Sequence, residues 1–201
     1  MTYKTYITNA NIIYSIIILL LSAAQCGFCQ ITLNNPSFED TPSDATTPMG
    51  WLECQEYTTP DILPGYWGVY TEPSEGETYV GMITRENGTF ESIGQRLSAT
   101  LQRDMCYSFT LDLAHSLGYT GYNQPIRLRI WLGRSKCETR QMIFESPLID
   151  EVEWNNYKVE FRPENDVRYI LLEAYHQDGS FSHKANILID NISTIESCNR
   201  V

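Results

Sequence analysis

Residues 126–132 read IRLRIWL, and this alternation decides the fold class. Side chains of a β-strand point to opposite faces in turn, so Ile126, Leu128, Ile130 and Leu132 share one face. Arg127, Arg129 and Trp131 share the other. The aliphatic face wants a core, and the opposite face wants water, an ion partner or a ligand. The same period of two returns in Cys106–His115, where Tyr107, Phe109, Leu111 and Leu113 oppose Ser108, Thr110 and Asp112. Asn155–Phe161 directs Tyr157, Val159 and Phe161 inward. In Val167–Tyr175 the inward set is Ile170, Leu172 and Ala174, leaving Tyr169, Leu171, Glu173 and Tyr175 outside.

Further strand-like runs are Ile31–Leu33, Met49–Gln55, Tyr66–Tyr70, Thr78–Thr84, Phe90–Leu97, Arg140–Phe144 and Ile187–Ile195. Segments rich in Gly, Pro, Asn and Asp separate them, such as TPSDATTP, EPSEG, LGYTGYNQP and HQDGS. Glu86-Asn87-Gly88 reads as a hairpin turn. No stretch carries a convincing helical period. Many short strands at regular spacing predict one all-β sandwich or barrel.

The first 29 residues differ from the rest. Lys4 precedes an apolar stretch, Ile12–Ala24, which is shorter than the roughly 20 residues a membrane span needs. Gly27 and Cys29 are small residues suited to a cut before Gln30. Residues 1–29 are therefore expected to be a signal peptide and 30–201 a single domain, exported to a periplasmic, outer-surface or extracellular location. On this reading the Cys26-Gly27-Phe28-Cys29 pair goes with the leader and carries no redox or zinc chemistry. Loss of Lys4 leaves the remainder one charge more negative than the −11 of the whole chain. Such a surface repels phosphate backbones, which argues against nucleic acid. Cys54, Cys106, Cys137 and Cys198 remain, an even number that predicts two disulfides. Cys106 opens one long strand and Cys137 follows another, so Cys106–Cys137 is the expected hairpin-end pair, with Cys54–Cys198 by elimination.

If the long strands share a sheet, its outer face gathers Arg127, Arg129, Trp131, Asp112, Glu173 and Tyr175. Aromatic rings beside arginines and carboxylates resemble a sugar-binding platform. The plainer account is that Arg129 pairs with Glu173 or Asp112 and that Trp131 lies under a loop. Tyr66 and Trp67, in PGYWGVY, form a second aromatic candidate.

Asp190 sits inside ILIDNIS, among large aliphatic residues. An unpartnered buried carboxylate costs several kcal/mol, so it requires water or a partner. Chain ends of sandwiches often pair, which would bring Glu39, in NPSFED, close to Asp190. Two carboxylates together without His or Cys suit calcium, which takes six to eight oxygen ligands.

NPSFED, GQRL leading into CYSFTLDLA, and ILIDNIS resemble the galactose-binding-like jelly rolls, which include many non-catalytic carbohydrate-binding modules. The resemblance implies a structural calcium held by Glu39 and Asp190. More narrowly, TTPDILPGYWGVY, YVGMITRENGTFESIGQRL, LRIWLG and SPLIDEVEWNNYKVEF are similar to a module of exported Gram-negative envelope proteins. There it often precedes a peptidoglycan-binding domain like that of OmpA; here the sequence stops after the sandwich, so no such domain is expected.

His115, His176 and His183 lack metal-binding spacing, and no G-x-S-x-G elbow or phosphate-cradling loop occurs. Asp112 and Glu173 could serve a glycosidase, but neighbouring arginines would lower the acid's pKa. The expected function is a non-catalytic carbohydrate-binding module with a calcium site and a glycan or envelope component as partner. The alternatives are a structural or protein-interaction module of the envelope, and a small glycan-active hydrolase.

Overall fold

The computed structural model describes residues 30–176 and 184–198. The expected leader, with Cys26 and Cys29, and His183 lie outside the described residues. Twelve strands follow in chain order. They are β1 (Leu52–Glu53), β2 (Asp61–Leu63), β3 (Tyr79–Thr84), β4 (Ser92–Leu101), β5 (Tyr107–Ala114) and β6 (Gln124–Pro125). The second half holds β7 (Arg127–Gly133), β8 (Gln141–Glu145), β9 (Asn155–Phe161), β10 (Val167–Tyr175), β11 (Ala185–Asp190) and β12 (Glu196–Ser197). No helix is present among the described residues.

Two sheets form a jelly-roll β-sandwich. The five-stranded sheet has the order β1-β4-β10-β7-β8, and the seven-stranded sheet runs β12-β5-β11-β3-β2, with β9 also on β5 and β6 on β11. All pairings are antiparallel except the short β6–β11 contact. Between the sheets lies the core the alternation announced: Phe109, Leu111, Leu128, Ile130, Ile170 and Leu172 are all buried, while Tyr157 packs against its margin. The start and end of the domain meet, with Ile31 N–H donating to Ile195 O at 3.0 Å and Ile195 N–H to Ile31 O at 2.8 Å.

A second, smaller cluster covers part of the seven-stranded sheet's outer face. Tyr79, Ile83, Ala114 and Leu188 point out of that sheet and are buried under Val69 and Tyr119 from two loops. This explains why ILID carries apolar residues at consecutive positions: Ile187 and Ile189 face the main core, and Leu188 faces the satellite.

Several expectations require correction. The disulfides join Cys54 to Cys137 and Cys106 to Cys198, not Cys106 to Cys137 and Cys54 to Cys198. Cys106 precedes β5 and Cys137 follows β7, strands that belong to different sheets, so the two do not share a hairpin end. Cys198 instead ends next to β12, which pairs with the start of β5. Residues 66–70 are a turn rather than a strand, with Trp67 at φ 54°. Arg85–Thr89 does close a tight turn, but the strands it joins then diverge into different sheets. Asp112 also changes sheet, with consequences described below.

Candidate functional site

Register brings the outer-face residues of the five-stranded sheet together in rows. Tyr175 lies opposite Arg127, and Ser92, Glu173, Arg129 and Glu145 form the next row. Gly94, Leu171, Trp131 and Met142 form the row after it. Arg129 is the hub: it donates to Glu145 Oε2 at 2.8 Å, lies 3.9 Å from Glu173 Oε1, and stacks its guanidinium 3.1 Å above the Tyr175 ring. Arg127 donates to the Ser146 carbonyl at 2.7 Å. Burial pushes the Glu173 carboxyl up from its ordinary range, and the Arg129 charge and the Trp131 indole N–H oppose this. The indole Nε1 is itself buried and closes no well-formed hydrogen bond. All five residues, Arg127, Arg129, Trp131, Glu173 and Tyr175, are half-buried.

Asp112 is not among them. It lies on β5 of the seven-stranded sheet, directly opposite Asp190 of β11. Because Asp112 and Glu173 occupy different sheets, they do not face each other across a sugar as a glycosidase pair must. The alternation correctly pointed Asp112 away from the core; it could not say which sheet β5 joins.

Around Asp112 and Asp190 the structure builds a buried polar cluster. Asp112 accepts from Ser74 Oγ and Asn156 Nδ2, each at 2.6 Å, and from Asn191 Nδ2 at 2.9 Å. Asp190 Oδ2 accepts the N–H groups of Ser74 and Glu75 at 2.9 Å, and its Oδ1 accepts that of Asn191 at 2.7 Å. Glu39 grips the other end of the same loop, with Oε1 accepting from Glu77 N–H at 2.9 Å and from Thr78 N–H at 3.3 Å, and Oε2 from Glu77 N–H at 3.1 Å. Burial raises the Asp190 carboxyl to about 7, the three N–H groups oppose the rise, and the Glu39 charge adds to it. A Cβ at Gly76, where φ is +69°, would strike the Glu39 carboxylate, so the loop needs glycine there.

The residue types, carboxylates of Glu39 and Asp190, are those a hard cation would take. Each carboxylate oxygen has two lone pairs, and among the described residues Glu39 Oε2 and Asp190 Oδ1 each accept a single N–H. One acceptor position thus remains on each, and neither His nor Cys belongs to the cluster.

Tyr66 and Trp67 lie elsewhere. Trp67 is 43 % exposed, donates its indole N–H to Asp44 Oδ1 at 2.8 Å, and its carbonyl accepts from Thr120 N–H at 2.8 Å. This ties residues 64–70 to residues 116–122, and both loops cover the seven-stranded sheet. Beneath them Tyr119 donates to Asp61, whose carboxyl burial raises to about 6. The two aromatic candidates therefore belong to opposite sheets.

Two polar groups escaped the sequence reading. Glu91 is fully buried where the chain crosses between sheets, paired with Arg85 at 2.6 Å and accepting from Ile83 and Thr59 N–H groups. Asn186 holds Ser116 and Tyr122 backbone groups. A glutamate between Phe90 and Ser92 looks like any solvent-facing strand residue; only the sheet crossing buries it.

No family model matches the chain, and no curated protein is detectably similar in sequence. Solved structures share its shape. A Stig cyclase, Fisc from Fischerella sp. TAU in complex with a pyrrolidinylidene-indole, superposes with a TM-score of 0.59 at 14 % identity, covering 87 % of this chain and 100 % of that one. The CBM22-1 xylan-binding domain from Paenibacillus barcinonensis Xyn10C gives 0.52 at 14 % identity, covering 84 % and 96 %. The K3 cleaved adhesin domain of Lys-gingipain from Porphyromonas gingivalis gives 0.54 at 13 %, covering 82 % and 99 %. At such identities the likeness is one of fold, a jelly-roll β-sandwich.

Proposed function

We propose that this protein is a non-catalytic, exported binding module that holds a carbohydrate on the outer face of its five-stranded sheet. The observation that carries the reading is that Arg127, Arg129, Trp131, Glu173 and Tyr175 adjoin on that face, with Arg129 stacked on Tyr175. Sugars are recognised by stacking their C–H faces on aromatic rings while charged groups hold their hydroxyls. Here Tyr175 and Trp131 supply rings, and Arg129, Glu173 and Glu145 form an ion-paired set whose geometry is fixed before a ligand arrives. The xylan-binding domain among the similar folds supports a glycan as the ligand class. Two disulfides suit an oxidising compartment. No helix among the described residues is long and apolar enough to cross a membrane.

Calcium belongs to this reading as a structural ion. Glu39 and Asp190 would hold it, and the charge it supplies would offset the repulsion between two carboxylates gripping one loop. The chain's own residues already shape that loop, through Gly76 and the Ser74, Glu75, Glu77 and Thr78 amides.

A glycan array tests the function. Binding should be lost in Tyr175→Ala and retained in Trp67→Ala, with both variants keeping the wild-type melting temperature within a few degrees. Loss in Trp67→Ala alone would move the site to the other sheet, and no binding to any glycan would reject the reading.

A further inference from the structure

The β7–β8 connection does not turn back directly. Cys137, four residues after Gly133, is bonded to Cys54, which continues β1 with its N–H donating to Ser92 O at 2.8 Å. In the sheet, β10 and β4 separate β7 from β1. Four residues of chain reach about 14 Å, close to the three strand spacings between β7 and β1. Residues 134–140 must therefore cross the outer face as a strap, from the β7 edge almost to the β1 edge.

Three contacts show where the strap lies. Leu171 faces outward, yet it is only 1 % exposed. A Cβ on Gly94 would lie 3.0 Å from Leu171 Cγ and 3.1 Å from Cys54 Sγ. At Gly133 a Cβ would strike the Glu138 backbone. Glu138 also folds the strap on itself, its Oε2 accepting from Arg134 N–H at 2.8 Å and from Ser135 N–H at 3.2 Å. The strap therefore covers the Gly94–Leu171 part of its row and the sheet beyond it. On the β4 side the open face ends too, because Ser92 is 4 % exposed and its N–H donates to Thr58 Oγ1 at 3.2 Å.

What stays open spans Arg127 to Trp131 along the strands, about 13 Å, and β10 to β8 across them, about 10 Å. That is room for roughly one or two sugar rings, with walls at the strap and at the 54–58 turn. Resting on the glycan-binding reading above, we infer that the strap makes the site a closed-ended cup that accepts a chain end or short branch and excludes internal segments of a polysaccharide. An extended glycan lying across all five strands would have to displace a covalently anchored loop.

Calorimetric titration with β-1,4-linked xylo-, gluco- and manno-oligosaccharides, from disaccharide to hexasaccharide, and with their parent polysaccharides tests this. Among the sugars that bind, affinity should plateau by the trisaccharide, changing less than about threefold to the hexasaccharide, and the polysaccharide should bind only in proportion to its chain ends. In the Cys54→Ala/Cys137→Ala double variant the hexasaccharide should gain at least about tenfold over the trisaccharide. The wild-type length series decides the matter alone if that variant does not fold. A wild-type affinity that climbs tenfold or more with length would overturn the cup while leaving glycan binding intact. Absence of binding by every sugar in the series would reject the cup together with the glycan reading on which it rests.

Discussion

Asp190 shows at the scale of one residue how a carboxylate survives among aliphatics: three backbone N–H groups meet it. If calcium also binds there, a free concentration a hundredfold above Kd adds about 2.7 kcal/mol to stability. Chelation should then lower the melting temperature of the wild type, and Asp190→Ala should erase the difference between calcium and chelator. An unchanged wild-type melt in chelator would remove the ion from the picture. Glu91 is a second such residue. Glu91→Ala leaves Arg85, whose Nη1 is already buried without a partner, with the Thr59 hydroxyl in place of its ion pair, and leaves the Ile83 and Thr59 amides unmatched. Breaking a buried pair from one side costs about 3–5 kcal/mol, which urea unfolding at neutral pH should report.

At the scale of strands, period two was legible wherever a strand has one core face and one open face. Residues 107–113, 127–132 and 169–175 were assigned to their correct faces, and their inward residues form the core, while Val167 joins that core across a register shift the alternation does not reveal. Sheet membership was not legible, because alternation says nothing about lateral neighbours. Asp112 was therefore grouped with Glu173, and Cys106 with Cys137, although each pair spans two sheets. Of the candidate platform, the residues on β7 and β10 do adjoin, since those strands are neighbours. The 54–137 disulfide anchors the strap, and it should matter energetically. Removing that disulfide in Cys54→Ala/Cys137→Ala should cost roughly 2–4 kcal/mol in equilibrium unfolding. Gly94→Val should destabilise as well, since its side chain would meet the Ile170 carbonyl at 2.9 Å besides Leu171 and Cys54.

For the whole molecule, three buried acids share one consequence. Asp61, Glu91 and Asp190 are raised to about 6, 7 and 7 by burial. Between the ordinary carboxylate range and those values the folded protein holds protons that the unfolded chain releases. Their effect on stability is thus unfavourable above about pH 7 and disappears as pH falls toward 4. In chelator, unfolding free energy should rise between about pH 7.5 and 5, and a stability that falls steadily over this range would contradict the burial of these groups. With calcium present the trend should weaken, because protons and the ion compete for Asp190.

The two disulfides also fix how the domain behaves under tension. Pulled between Gln30 and Cys198, the taut path runs from Gln30 to Cys54, steps to Cys137, returns to Cys106 and steps to Cys198. Only about a third of the intervening residues lie on it. The Ile31–Ile195 bridge peels first, and segments 55–105 and 138–197 are shielded from stretching by the crosslinks. The domain can then lengthen only by a limited amount before force reaches covalent bonds, so it behaves as a short, stiff tether.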